Sequence, residues 1–177
     1  ASDVYKRQEH YDARLEQKGW NTVNFDDSKW NGVGYRAVPS QNVVSQQVQP
    51  IRAVETIPVK IWKKLNDTTY VFDFARNMAG VTRIKVSGEE GTVVRLKHGE
   101  RLYDNGRVNT SNIDVYHRPV DNSDPFQTDI LVLSGKGEDE FMARFNYKGF
   151  RYVEVTSTNP LVLNENCLLY TSDAADE

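Results

Sequence analysis

The chain has 177 residues, a formal net charge of −3 and a mean hydropathy of −0.64. No apolar run approaches the roughly 20 residues that a membrane-spanning helix needs. No basic block offers itself to nucleic acid or to an anionic membrane surface, so neither is expected as a partner.

The two ends are related in an unusual way. The chain opens ASDVYKRQ and closes CLLYTSDAADE. One coding choice for the opening eight residues, reverse-complemented and read one base later, translates as CLLYTSDA, which is residues 167–174. Two ends of one natural gene have no reason to be reverse complements, whereas an adapter joined to both ends of a fragment produces this relation. Residues 1–8 and 167–177 are therefore read as adapter-derived and set aside from the fold argument. The natural part is then 9–166, with a formal charge of −1 and no cysteine, because the single cysteine is Cys167. Disulfides, a thiolate nucleophile and Cys-ligated metals are excluded within it. About 158 residues suffice for one ordinary domain and its core.

From the N-terminal side, GWNTVNFDDSKW at 19–30 has aromatics but no long period, and Asp26 and Asp27 are placed to cap a short turn through Trp30. SQNVVSQQVQP at 40–50 is polar and ends in proline, which reads as a linker or extended crossing segment. The domain boundary is set there, giving 9–48 and 49–166. IRAVETIPV at 51–59 resumes an extended pattern. Period-two alternation, the signature of half-buried strands, then dominates. Tyr70, Phe72 and Phe74 alternate with Val71 and Asp73. Thr82, Ile84 and Val86 alternate with Arg83 and Lys85. Val94, Leu96 and His98 alternate with Arg95 and Lys97. Phe126 to Leu133 reads as a more apolar, central strand. SGEEG at 87–91, DNG at 104–106 and SGKG at 134–137 are turn sequences in which glycine supplies positive φ. No internal repeat and no long amphipathic helix interrupts the series. The expected fold class is all-β, an antiparallel β-sandwich.

The last segment, RFNYKGFRYVEVTS at 144–157, poses the functional question. Alternation puts Phe145 and Tyr147 on one face, Gly149 breaks the strand as a bulge, and Phe150 opens the next stretch with Val153 and Val155 inward, alternating with Tyr152 and Glu154. The rings are expected in the core because they follow the strand period. The competing reading is an exposed sugar platform rimmed by Arg144, Arg151 and Tyr152.

Other groups carry less. His10, His98 and His117 lack metal-ligand spacing. His98 with Glu100 and Arg101 reads as a hydrogen-bonded cluster at a strand end. The pairs Asp26–Asp27 and Glu89–Glu90 and the run Glu138–Asp139–Glu140 read as solvated loop charges, because neighbours on a turn do not establish the separation a glycosidase needs. Asp121–Asn122–Ser123–Asp124 resembles a calcium-holding loop but lacks the glycine and terminal glutamate of an EF-hand.

Two long blocks carry a family resemblance: DFARNMAGVTRIKVSGEEGTVVRLKHGERLYDNGRV at 73–108 and FQTDILVLSGKGEDEFMARFNYKGFRYVEVTS at 126–157. Through Asp73-Phe74, Asn77-Met78-Ala79-Gly80, His98–Glu100 and Arg144-Phe145…Tyr147…Gly149-Phe150-Arg151-Tyr152, they resemble the concanavalin-like β-sandwich domain of bacterial α-L-rhamnosidases. YDARLEQKGW…FDDSKW at 11–30 resembles the tail of the preceding jelly-roll N-terminal domain. The sequence departs from the family's Asp-Phe-Gly-Gln-Asn at Ala75 and Arg76. The resemblance implies a parent enzyme that removes terminal α-L-rhamnose from glycosides or polysaccharides by inverting hydrolysis. Its acid and base lie in a following (α/α)6 barrel, so no catalytic residue is carried over here. In some members the upstream domain binds rhamnose through calcium, but the matching segment reads Asp12-Ala13-Arg14, and Ala13 offers no side-chain oxygen, so neither metal nor cofactor is expected. The expected partner is the missing barrel, with a rhamnose-containing glycan as the second. The alternative function is a carbohydrate-binding module for such glycans, which an exposed row of Trp20 and Trp30 would favour. A periplasmic or extracellular location is suggested by the family alone.

Overall fold

The computed structural model describes residues 8–45, 47, 52–114 and 125–173. The Asp121–Asp124 loop and His117 lie outside the described residues. Eleven strands are seen among the described residues: β1 (His10–Asp12), β2 (Ala53–Pro58), β3 (Ile61–Asn66), β4 (Thr69–Ser87), β5 (Val93–Gly99), β6 (Arg101–Leu102), β7 (Val108–Asn109), β8 (Thr128–Val132), β9 (Glu138–Met142), β10 (Lys148–Ser157) and β11 (Leu168–Asp173). The helical content described is one four-residue turn, Ser111–Asp114, and two short 3₁₀ turns.

Nine strands form one curled sheet, in the order β1-β8-β5-β10-β4-β11-β2, with β3 and β9 also paired to β4. Strand β4, 19 residues long, explains the curl. Its first part, Thr69–Asp73, lies between β3 and β10, whereas Arg83 and Ile84 lie between β9 and β11. One strand thus belongs to both layers. Between them sits a single core built from the predicted alternation. Phe72, Phe74, Val94, Leu96, Leu131, Val153 and Val155 meet Ile84, Val86 and Phe141 there. Burying a residue of this size stabilises the fold by about 1.5–3 kcal/mol.

The corner of β4 coincides with DFARN. The register on β10 jumps from Phe150↔Met78 to Tyr152↔Asp73, so Phe74–Asn77 bulge opposite Arg151 alone. Arg151 spans the bulge with two hydrogen bonds to Asp73, Nε to Oδ1 at 2.8 Å and Nη2 to Oδ2 at 2.9 Å. The Ala75 amide donates to the same Oδ1 at 2.6 Å, and Ala75 takes φ +61°. The turn glycines behave as expected, with positive φ at Gly91, Gly106, Gly135 and Gly137. Gly135 is required on packing grounds as well, since a Cβ there would lie 2.7 Å from the Glu90 backbone nitrogen.

Four expectations need correction. Phe145 and Tyr147 are not in the core: they are 82% and 46% exposed, while Phe150 is fully buried. The physical reason is Glu9, whose Oε2 accepts from the Arg144 amide at 2.7 Å and the Phe145 amide at 3.1 Å and so holds a bend where a strand was expected. The irregularity in β10 falls at Arg151, not at Gly149, which pairs regularly with Ala79. Strand β8 is not central: it lies second from the edge, between β5 and the three-residue β1. Its apolar character reflects burial on both faces from Thr128 to Leu131. The terminal segment set aside from the fold argument forms β11, inserted between β4 and β2, with Leu168 and Tyr170 fully buried. Its alternation of Leu168 and Tyr170 with Leu169 and Thr171 satisfies the strand period whatever its coding origin.

Candidate functional site

The histidines are not assembled into a site. His10 lies exposed on β1, and His98 is buried on β5. The His98 ring is satisfied on both sides: Nδ1 lies 3.1 Å from the Gln127 carbonyl and Nε2 lies 2.9 Å from Thr82 Oγ1. A carbonyl can only accept, so Nδ1 carries the proton and Nε2 of the neutral ring accepts from the threonine. Burial, reinforced by the Lys148 ammonium, pushes the His98 pKa down to about 4. Glu100 and Arg101, expected in the same cluster, are exposed.

Beside His98 runs a second buried network that alternation could not reveal. Lys148 is 5% and Asp129 2% exposed, and Lys148 Nζ donates to Asp129 Oδ2 at 2.7 Å. Lys148 also donates to Asn146 Oδ1, and the Glu9 amide donates to Asp129 Oδ1 at 3.0 Å. Burial pulls the Lys148 pKa down while Asp129 raises it, and burial wins. This network ties β1, β8 and β10 together but is closed to a substrate.

The paired carboxylates are engaged structurally. Asp139 accepts from the Ser134 amide at 2.8 Å and from Ser134 Oγ at 2.7 Å, closing the SGKG turn. Glu138 and Glu140 pair across the sheet with Lys85 at 3.7 and 3.3 Å. Asp26 accepts from the Ser28 amide at 3.0 Å and caps the turn leading to Trp30. Asp12 is held by Arg14, with Nη2 2.6 Å from Oδ2. Among the described residues, no three or more His, Cys, Asp or Glu side chains come together to hold a metal ion. Of the expected sugar rim, Arg151 is tied to Asp73 and lies 4.9 Å from the Tyr152 ring centroid. Trp20 and Trp30 are each 48% exposed, but Trp30 Nε1 donates to Gln17 Oε1 at 2.7 Å and its ring packs on Phe25.

A concave surface with charged and polar groups lies on the outer side of β5, β8 and β10. The register sets Arg95 beside Thr156 and Ile130, and Lys97 beside Glu154 and Thr128. Arg107, from the DNG turn, closes one side, and Pro125 and Phe126 form an apolar edge. The cavity measures about 320 Å³. Glu154, 3% exposed, is saturated by its neighbours: Arg107 Nη2 donates to Oε1 at 2.6 Å, and the Val108 amide donates to Oε2 at 2.9 Å. Alternation marked Arg95 and Lys97 as outward. Which strands flank them, and therefore what they face, is a matter of sheet order that period two does not encode.

An all-β chain curled into two layers around one core defines a β-sandwich domain. Residues 63–169 match the family described as bacterial alpha-L-rhamnosidase concanavalin-like domain, and residues 1–55 match the alpha-L-rhamnosidase N-terminal domain. The chain belongs to the bacterial α-L-rhamnosidase family, and its larger part is that family's concanavalin-like domain. The alpha-L-rhamnosidase of Streptomyces avermitilis is 38% identical over 150 residues, which cover 84% of this chain and 14% of that protein. Among solved structures, the alpha-L-rhamnosidase from Dictyoglumus thermophilum superposes with a TM-score of 0.79 at 33% identity, covering 94% of this chain and 18% of that one. The Streptomyces avermitilis alpha-L-rhamnosidase complexed with L-rhamnose follows at 0.74 and 32%, covering 93% and 15%. The chain therefore spans only about a seventh to a fifth of the proteins it matches.

Proposed function

We propose that this chain is the non-catalytic sandwich portion of an inverting α-L-rhamnosidase. The parent removes terminal α-L-rhamnose from glycosides or polysaccharides, with its acid and base on an (α/α)6 barrel outside this chain. The sandwich acts as a scaffold that packs against that barrel. The observation supporting this reading is the pairing of near-complete coverage here with a small share of each relative: 94% of this chain against 18% of the Dictyoglumus thermophilum enzyme. The polar groups of the sandwich agree with a scaffold, since Asp139, Glu154, Asp73 and Asp129 each spend their charge on a turn, a guanidinium or an ammonium of the same domain. The alternative of a carbohydrate-binding module built on an aromatic platform gains no support, because the aromatics expected to form that platform are distributed between the core and separate surface positions.

The test is a transplant. Residues 9–173, which include β11, replace the matching span of the Streptomyces avermitilis enzyme, and the chimera is assayed on an aryl α-L-rhamnoside beside the isolated chain. The expected result is turnover by the chimera and none by the chain alone. Turnover by the isolated chain, or a folded chimera that has lost hydrolysis, overturns the proposal.

A further inference from the structure

The cavity on the outer face of β5, β8 and β10 carries two cations, Arg95 and Lys97, beyond those its ion pairs use. Among the described residues its lining carries three cations, Arg95, Lys97 and Arg107, against one carboxylate, Glu154. That carboxylate is already committed, since Arg107 reaches both of its oxygens and the Val108 amide takes a further lone pair. Arg95 and Lys97 stand two residues apart on one strand, and among the described residues neither lies within ion-pair distance of a carboxylate. In the other layer Lys85, by contrast, pairs with Glu138 and Glu140. Here two positive charges face a concave wall, where a low-dielectric floor focuses their field.

The remaining lining limits the ligand. A volume of about 320 Å³ exceeds what a bare inorganic anion fills and lies at the lower end of small-molecule sites. Thr156 stands beside Arg95 and places a hydroxyl next to that charge, while Thr128, beside Lys97, is buried and donates its hydroxyl proton to the Phe126 carbonyl at 3.1 Å. Phe126 and Pro125 add an apolar edge against which the C–H face of a pyranose can lie. Guanidinium and ammonium for a carboxylate, a hydroxyl for hydroxyls and a ring for a ring face together describe one chemical class. We propose that this cavity binds a carboxylate-bearing sugar, a hexuronate unit of an acidic glycan. Arg95 and Lys97 take the carboxylate, and Phe126 supports the ring. The choice of a glycan rests on the rhamnosidase reading, and the proposal extends it: the sandwich holds an acidic residue of a rhamnose-containing polymer away from the barrel.

The test uses the chain as it stands. Calorimetric titrations at low ionic strength compare trigalacturonate, its methyl ester, which keeps the shape and loses the charge, and inorganic phosphate. Trigalacturonate is expected to bind and to shift the ring resonances of Phe126. The methyl ester is expected to bind about tenfold or more weakly, the loss of one charge-assisted contact, and added salt should weaken the acid form by screening. The Arg95→Ala/Lys97→Met double variant should lose the binding, while Lys85→Ala on the other layer should retain it. Both variants alter surface side chains, and circular dichroism melts verify their folds. Absence of binding, equal binding of acid and ester, binding indifferent to the double variant, or phosphate binding as tightly as the sugar overturns the proposal. This outcome is separate from that of the transplant assay: an active chimera with no uronate binding removes the cavity's role and leaves the scaffold reading intact.

Discussion

Ala75 carries a φ of +61° at the corner of β4, a region that L-residues with a Cβ enter at a cost of about 1–2 kcal/mol. The conformation is imposed by Asp73, which accepts from the Ala75 amide and from Arg151 at once. Ala75→Gly is therefore expected to stabilise the chain by about 1 kcal/mol, somewhat less than the full relief because glycine also loosens the unfolded state. Urea denaturation midpoints measure it, and an unchanged or lower midpoint contradicts the strain. The same carboxylate shows how opposing effects resolve. Burial pushes the Asp73 pKa up, but Arg151 and the Ala75 amide outweigh it and hold the group below its ordinary range. His98 makes the complementary case. Its folded pKa of about 4 lies below the unfolded value near 6.5, so the unfolded chain binds the extra proton between those limits. Stability contributed by the neutral ring is full above pH 6.5, falls as pH drops and is gone below about 4. The loss is on the order of 3 kcal/mol. Denaturant midpoints measured across that window should slope upward with pH, and His98→Gln should flatten the slope. The His98 burial was legible from alternation alone. Its partners, Thr82 on β4 and Gln127 in the turn before β8, were not, because no local pattern states that these segments lie beside β5.

At the scale of elements, the segment 144–157 divides where Glu9 intervenes. Phe150 is fully buried and packs edge-on against Phe74 and Tyr170, with ring centroids 6.0 and 5.4 Å apart. Phe150→Ala should cost about 3–5 kcal/mol, whereas Phe145→Ser should change stability by less than about 0.5 kcal/mol. A comparable loss from both substitutions in thermal melts would place Phe145 in the core after all. The strand periods of β4, β5 and the later part of β10 were readable because each has one face in the core and the other outward. The bend at Arg144–Phe145 was not, because its cause is a glutamate 135 residues away in sequence. Lys148 escaped for a related reason: a lysine between rings reads as surface until its partner Asp129, on another strand, is known. The candidate cavity is legible only by halves. Arg95 and Lys97 announce an outward face, but the company of Thr156, Thr128 and Phe126 follows from the order β8-β5-β10.

For the molecule as a whole, β11 completes the second layer. It pairs with β4 from Leu168 to Ser172 and with β2 from Leu169 to Asp173. A chain ending at residue 166 loses Leu168 and Tyr170 from the core, at about 2–5 kcal/mol each. That is a large part of the 5–15 kcal/mol typical of a domain. Such a truncation is expected to lower the melting temperature sharply or to leave the chain unfolded, as followed by circular dichroism. An unaltered melt would separate β11 from the fold. The slot also limits its surroundings. At Gly80 a Cβ would lie 2.3 Å from the Thr171 carbonyl oxygen, so the close approach of β4 to β11 admits glycine and little else.

The nineteen residues of β4 leave the domain without a fault line. Because one continuous strand supplies ladder partners to both halves, neither half can open while the other stays closed. Amide protons on Phe72 and on Ile84, which lie in different layers, should exchange with the same opening free energy, that of the entire domain. A domain built this way transmits force from one layer to the other without yielding at an internal hinge.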